Sequence, residues 1–68
     1  MTLTAVLTPA DEGGFVALNP ETGTTTQGET FEEAVANLRE ATELFLEEFP
    51  KAKAGKALLT TFEVAERA

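Results

Sequence analysis

Residues 30–49 limit what this chain can fold into more than any other stretch, because they read as one long amphipathic helix with both ends marked. Thr30 is a favourable N-cap. Glu33, three residues on, completes a T-x-x-E capping box in which two otherwise orphaned amides find side-chain partners. At 100° per residue, Phe31, Val35, Leu38, Thr42, Phe45 and Phe49 fall on one stripe, with Ala34 and Ala41 beside it. Glu32, Glu33, Glu40, Glu43, Glu47 and Glu48 lie off that stripe or at its margins. Phe49 precedes Pro50, which disfavours further α conformation and stops the helix. A helix of about 18 residues is roughly 27 Å long. No other segment is long enough to carry a core, so the rest of the chain is expected to pack against this stripe.

At 68 residues the chain is read as a single domain over 1–68. Its core is thinner than the 43% apolar content suggests, because eleven residues are alanine. The sequence has no cysteine to staple so small a fold, which makes self-association a natural route to stability. Absence of cysteine fits a reducing compartment. The N-terminus shows no basic segment followed by a long apolar run, and no run approaches bilayer length, so a cytoplasmic protein without membrane attachment is expected. The net charge of −7 argues against direct nucleic-acid binding, which needs clustered Lys and Arg to displace phosphate counterions. The same charge keeps a small protein soluble and would speed encounter with a basic partner.

Residues 2–8 alternate, with Leu3, Ala5 and Leu7 on one face and mostly threonine on the other, which predicts a half-buried strand ended by Pro9. The turn residues 10–14 lead into a returning strand at 15–18, making a β-hairpin. A second turn at 19–23 carries proline early and Gly23 late, where a left-handed residue is needed. Residues 24–27 are β-branched but lack large apolar side chains and suit an outward or edge strand. After Pro50, Lys51, Lys53 and Lys56 are placed to complement the helix macrodipole. Residues 57–65 read as a last strand with Leu58, Phe62 and Val64 on one face, and Glu66, Arg67 and Ala68 as a frayed end. The expected order is β-β-β-α-β, with the last strand parallel to a neighbour through a right-handed crossover.

This order and certain residues resemble the HicB family of small antitoxins. The likeness runs from Gly13, Gly14, Phe15 and Val16 through Pro20 and Gly23. It is sharpest at Thr26, Gln27, Gly28, Glu29 and Thr30, followed by Glu32, Glu33, Ala34, Asn37, Leu38, Glu40 and Ala41. The resemblance covers about residues 3–49. It implies an α+β domain with a partial ribonuclease-H-like fold: a three-stranded antiparallel meander, the helix, and a fourth strand beside strand one. The motif positions it singles out are Gly14, Phe15, Gly23, Thr26, Gln27, Gly28, Thr30, Glu33 and Ala34. Family members typically neutralise a small basic messenger-RNA-cleaving toxin of the HicA type, and many add a C-terminal DNA-binding module. None is expected here, so self-repression is not expected of this polypeptide.

The sequence has no histidine and no cysteine, which removes imidazole acid–base chemistry, Ser-His and Cys-His nucleophiles and the usual zinc ligands together. A ribonuclease-H-type centre needs carboxylates converging on metal ions from several strands. The first strand supplies none, and Glu63 on the last has no partner there. Asp11 and Glu12 lack the repeated oxygen ligands of a calcium loop. No catalytic residue, metal or cofactor is therefore expected. Gln27 is read as lining the strand–helix connection and bonding backbone. Leu44 lies off the helix stripe, while Val6 and Val16 alternate away from Leu3, Leu7 and Phe15, so these three are candidates for a second contact surface. Two functions follow as expectations. One is an antitoxin-like module that occludes a HicA-type toxin. The other is a stand-alone homo-oligomeric domain of the same fold, structural or ligand-binding, without a toxin.

Overall fold

A computed structural model describes residues 1–52 and 55–66. Lys53, assigned above to the helix dipole, and the Arg67-Ala68 end lie outside them. The elements are β1 (Val6–Pro9), β2 (Phe15–Asn19), β3 (Thr24–Gly28) and α1 (Phe31–Glu48). The three strands form an antiparallel meander in the order β1-β2-β3, and the fold is α+β, with one helix on one sheet face.

The helix begins where the cap residues place it. Thr30 is extended, and its hydroxyl accepts the Glu33 amide at 3.0 Å. The reciprocal half of the box differs from expectation, because the Glu33 carboxylate accepts from the amide of Glu29 rather than from that of the cap residue itself. Thr30→Ala should lower unfolding stability by about 1 kcal/mol. An unchanged urea midpoint would show that the hydroxyl contributes nothing.

Register puts Leu7 opposite Ala17 and Pro9 opposite Phe15, so these residues share the face that meets the helix. Val6 pairs with Leu18 and Thr8 with Val16 on the other face. The core is Ala17, Ala34 and Leu38, with Leu7 and Phe15 packed against it. The buried line on the helix is Ala34, Leu38 and Thr42, so the centre of the stripe falls on Ala34 rather than on the phenylalanines that lead the periodicity. Phe31 and Phe49 sit at the two ends, where the sheet no longer covers them, and both are exposed. Phe31 instead meets Phe15 edge to face with centroids 6.1 Å apart, and Phe49 tilts against Phe45 at 5.1 Å.

The helix packs chiefly on β3 and then on β2. It comes close enough that a Cβ on Gly28 would collide with the backbone of Ala34. Gly14 serves the neighbouring approach: its φ is +77°, and a Cβ there would press on the Gly28 carbonyl. Gly28 at the end of β3 thus sets the sheet–helix distance.

Two strand expectations fail. The first strand forms only over Val6–Pro9: the ladder with β2 stops at Val6 opposite Leu18, and Thr4 is held by the Glu21 and Asn19 side chains instead. The fourth strand expected over 57–65 is not formed: the segment has neither helix nor strand and no ladder partner. β-propensity records how a residue fits a paired, half-buried surface, and without an edge to join it makes no strand.

Candidate protein-interaction surface

The most connected side chains lie where β2 turns toward β3. Asn19 and Glu21 are 1% and 3% exposed. The Glu21 carboxylate accepts the Thr4 amide at 2.8 Å, the Thr4 hydroxyl at 2.7 Å, the Asn19 side-chain amide at 2.7 Å and the Ala57 amide at 2.7 Å. Asn19 also donates to the Thr4 carbonyl at 2.7 Å and accepts the Thr22 amide at 2.9 Å. Four neutral donors thus compensate one buried charge. The Ala57 amide, the Thr4 amide and the Thr4 hydroxyl hold the Glu21 pKa down at about 2, against an ordinary 4.5. The cluster ties the turn, the segment before β1 and the chain beyond the helix into one joint.

Beside this joint lies a cavity of about 360 Å³, lined by Leu3, Ala5, Val35, Leu38, Thr42 and Leu46 among others. It sits between the segment entering β1 and the side of α1 that carries Val35, Leu38, Thr42 and Leu46. The Thr42 hydroxyl is buried there with no hydrogen-bond partner among the described residues. Among the described residues β1 pairs with β2 alone, so its outer edge presents N–H and C=O groups without a partner strand there.

A second surface is the outer side of α1, where Glu32, Glu40, Glu43, Glu47 and Glu48 are exposed together with Arg39. Leu44, 60% exposed, lies off the packed stripe and borders a shallow hollow with Thr22, Thr24, Phe45 and Phe49. Val6 and Val16 are half-buried on the sheet face away from the helix. Leu44 is therefore not on the same surface as the two valines, and the three do not form one patch.

The motif positions collect around the β3–α1 connection. Gly14 abuts Gly28, Phe15 meets Phe31, and the Thr26 hydroxyl donates to the Ala34 carbonyl at 3.2 Å. Gly23, with φ of +79°, closes the β2–β3 turn by donating to the Asn19 carbonyl at 2.7 Å. At Gln27 the expected roles are reversed: its backbone carbonyl accepts from the Asn37 side-chain amide at 2.8 Å. These residues build the fold's tightest joint rather than a cleft. Among the described residues no group of three or more acidic, histidine or cysteine side chains is placed to hold a metal ion. No described helix is long and apolar enough to cross a membrane.

Thr4, Asn19 and Glu21 were not singled out from the sequence. Asn19 before Pro20 does signal a turn in which the asparagine side chain caps following amides. Apart from Asn19, nothing local marks Glu21, whose other partners are 17 and 36 residues away. No protein-family model matches the chain, and neither the curated proteins nor the solved structures contain a match.

Proposed function

We propose that this chain is a non-enzymatic protein-binding module of the antitoxin type, which occludes a small basic RNA-cleaving toxin of the HicA kind. The observation that carries the reading is the row of exposed glutamates along the outer side of α1, opposed on that helix by Arg39 alone, in a chain of net charge −7. Such a surface speeds encounter with a cationic partner and fixes its orientation. The T-Q-G-E-T motif leading into the helix supports the same assignment by resemblance, as does the meander-then-helix order. The reading also takes the molecule to be cytoplasmic and to have no direct contact with nucleic acid.

Affinity isolation from the chain's own cells at low salt should recover a small basic protein that cleaves RNA, and equimolar addition of this chain should stop the cleavage. Glu40→Lys together with Glu43→Lys should weaken that complex at least about tenfold and flatten its salt dependence. A recovered partner that is acidic, or a basic nuclease whose cleavage is unaffected, would refute the antitoxin assignment.

The second reading is a stand-alone homo-oligomeric domain of this fold with no toxin. It is favoured by the apolar segment beyond the helix, which the body of the molecule leaves in water.

A further inference from the structure

Residues 57–65 are an apolar strand sequence with nowhere to go in a single copy. Leu58 is 96% exposed and Phe62 83%, with Leu59 and Val64 also largely in solvent. One charge, Glu63, occurs in the nine residues. The segment is rooted all the same, because the Ala57 amide is fixed to Glu21 at 2.7 Å, and the same carboxylate holds Thr4 just before β1. Beyond that root the chain projects. The molecule is 48 Å long with a radius of gyration of 14.0 Å, where a compact domain of this length has about 11 Å.

The body carries the complementary defect. Among the described residues the outer edge of β1 has no partner strand, and the cavity of about 360 Å³ beside the segment that leads into β1 is lined by Leu3, Ala5, Val35, Leu38 and Leu46. A strand added along β1 would satisfy the edge and cover the cavity at the same time. Strand alternation places Leu58, Thr60, Phe62 and Val64 on one face, which suits the cavity. Leu59, on the opposite face, would extend the Val6–Leu18 pair on the outer side of the sheet.

We propose that residues 57–65 are an exchange arm that adds as a fourth strand to the β1 edge of a second copy of this chain, reciprocally, closing a two-fold dimer. The arm's own chemistry selects this occupant. Its one acidic side chain offers little to a basic protein, whereas its apolar face, Leu58, Phe62 and Val64, suits the apolar lining of the groove, Leu3, Ala5, Val35, Leu38 and Leu46. Reciprocal exchange is isologous and uses both arms and both β1 edges, so this contact closes at two copies. The inference develops the homo-oligomer reading and needs no toxin.

Sedimentation equilibrium of the purified full chain at micromolar concentration should give twice the subunit mass of 7.2 kDa. Hydrogen exchange should show protection of amides within 58–64 and along β1. Phe62→Glu changes a side chain that a single copy leaves in water, so it should keep the far-ultraviolet spectrum while weakening dimerisation at least about 100-fold and releasing protection at both places. Leu44→Glu, on the opposite side of the helix, should leave mass and protection unchanged. A monomer in which 58–64 is protected would mean that the arm folds back on its own β1, and would overturn the exchange. So would a monomer with an unprotected arm, or a dimer insensitive to Phe62→Glu. Because no toxin is present, any of these results leaves the antitoxin reading standing.

Discussion

Leu38→Ala should lower unfolding stability by about 2–5 kcal/mol, against the roughly 3–10 kcal/mol available to a domain of this length. Among the described residues the buried apolar core is two alanines and this one leucine, so Leu38 is the large apolar side chain at its centre. Leu38 also lines the cavity beside β1. Truncation would therefore enlarge an existing void rather than open a small one that neighbours can close. A urea titration should show the midpoint falling by a large part of its wild-type value. A loss below about 1 kcal/mol would mean that the sheet settles onto the shortened side chain, a relaxation the tight Gly28–Ala34 approach should prevent.

The second large effect is expected at Glu21. Its pKa in the folded chain is about 2, below the ordinary 4.5, so folding favours the ionised form. Its contribution is complete above about pH 4.5 and is lost as pH falls toward 2. Thermal midpoints measured from neutral pH downward should decline through that window. Glu21→Gln should lower the midpoint at neutral pH and make the decline shallower, because an amide turns two of its own hydrogens toward donors that need acceptors. Amides of Thr4 and Ala57 should lose exchange protection together, since both donate to the one carboxylate. If only one of them is released, or if the acid decline keeps its slope in the variant, the shared-carboxylate joint is wrong.

The same joint shows how strength and reach are linked in so small a domain. With few large buried apolar side chains, the chain holds its ends by hydrogen bonds to a desolvated carboxylate, where each donor counts for more than it would in water. The root of the arm is thus set by a group that does not lie in the arm. A partner strand would meet a segment already anchored at one end, which lowers the entropy lost on pairing.

Several features were legible in the residues alone, because their causes are local. Thr30 and Glu33 mark the start of α1 within four residues, Pro50 marks its end, and Gly23 marks the turn before β3. The alternation around Leu7 and Phe15 assigns those side chains to the helix-facing side. The residues from Thr26 to Thr30 mark the passage from strand to capped helix, but that Gly28 packs against Ala34 there is seen only in the structure. What the residues could not decide was every question of partner. The composition of 57–65 suits a strand, but a strand exists only where another edge supplies hydrogen bonds, and this copy's own β1 does not take it. The periodicity of α1 names an apolar stripe, but the sheet's placement over Ala34, Leu38 and Thr42 leaves Phe31 and Phe49 at its ends. Glu21 reads locally as one more acid in a turn. Only the tertiary structure brings Thr4 and Ala57 to it, because donors 17 and 36 residues distant converge through the path of the whole chain, which short-range propensity does not encode.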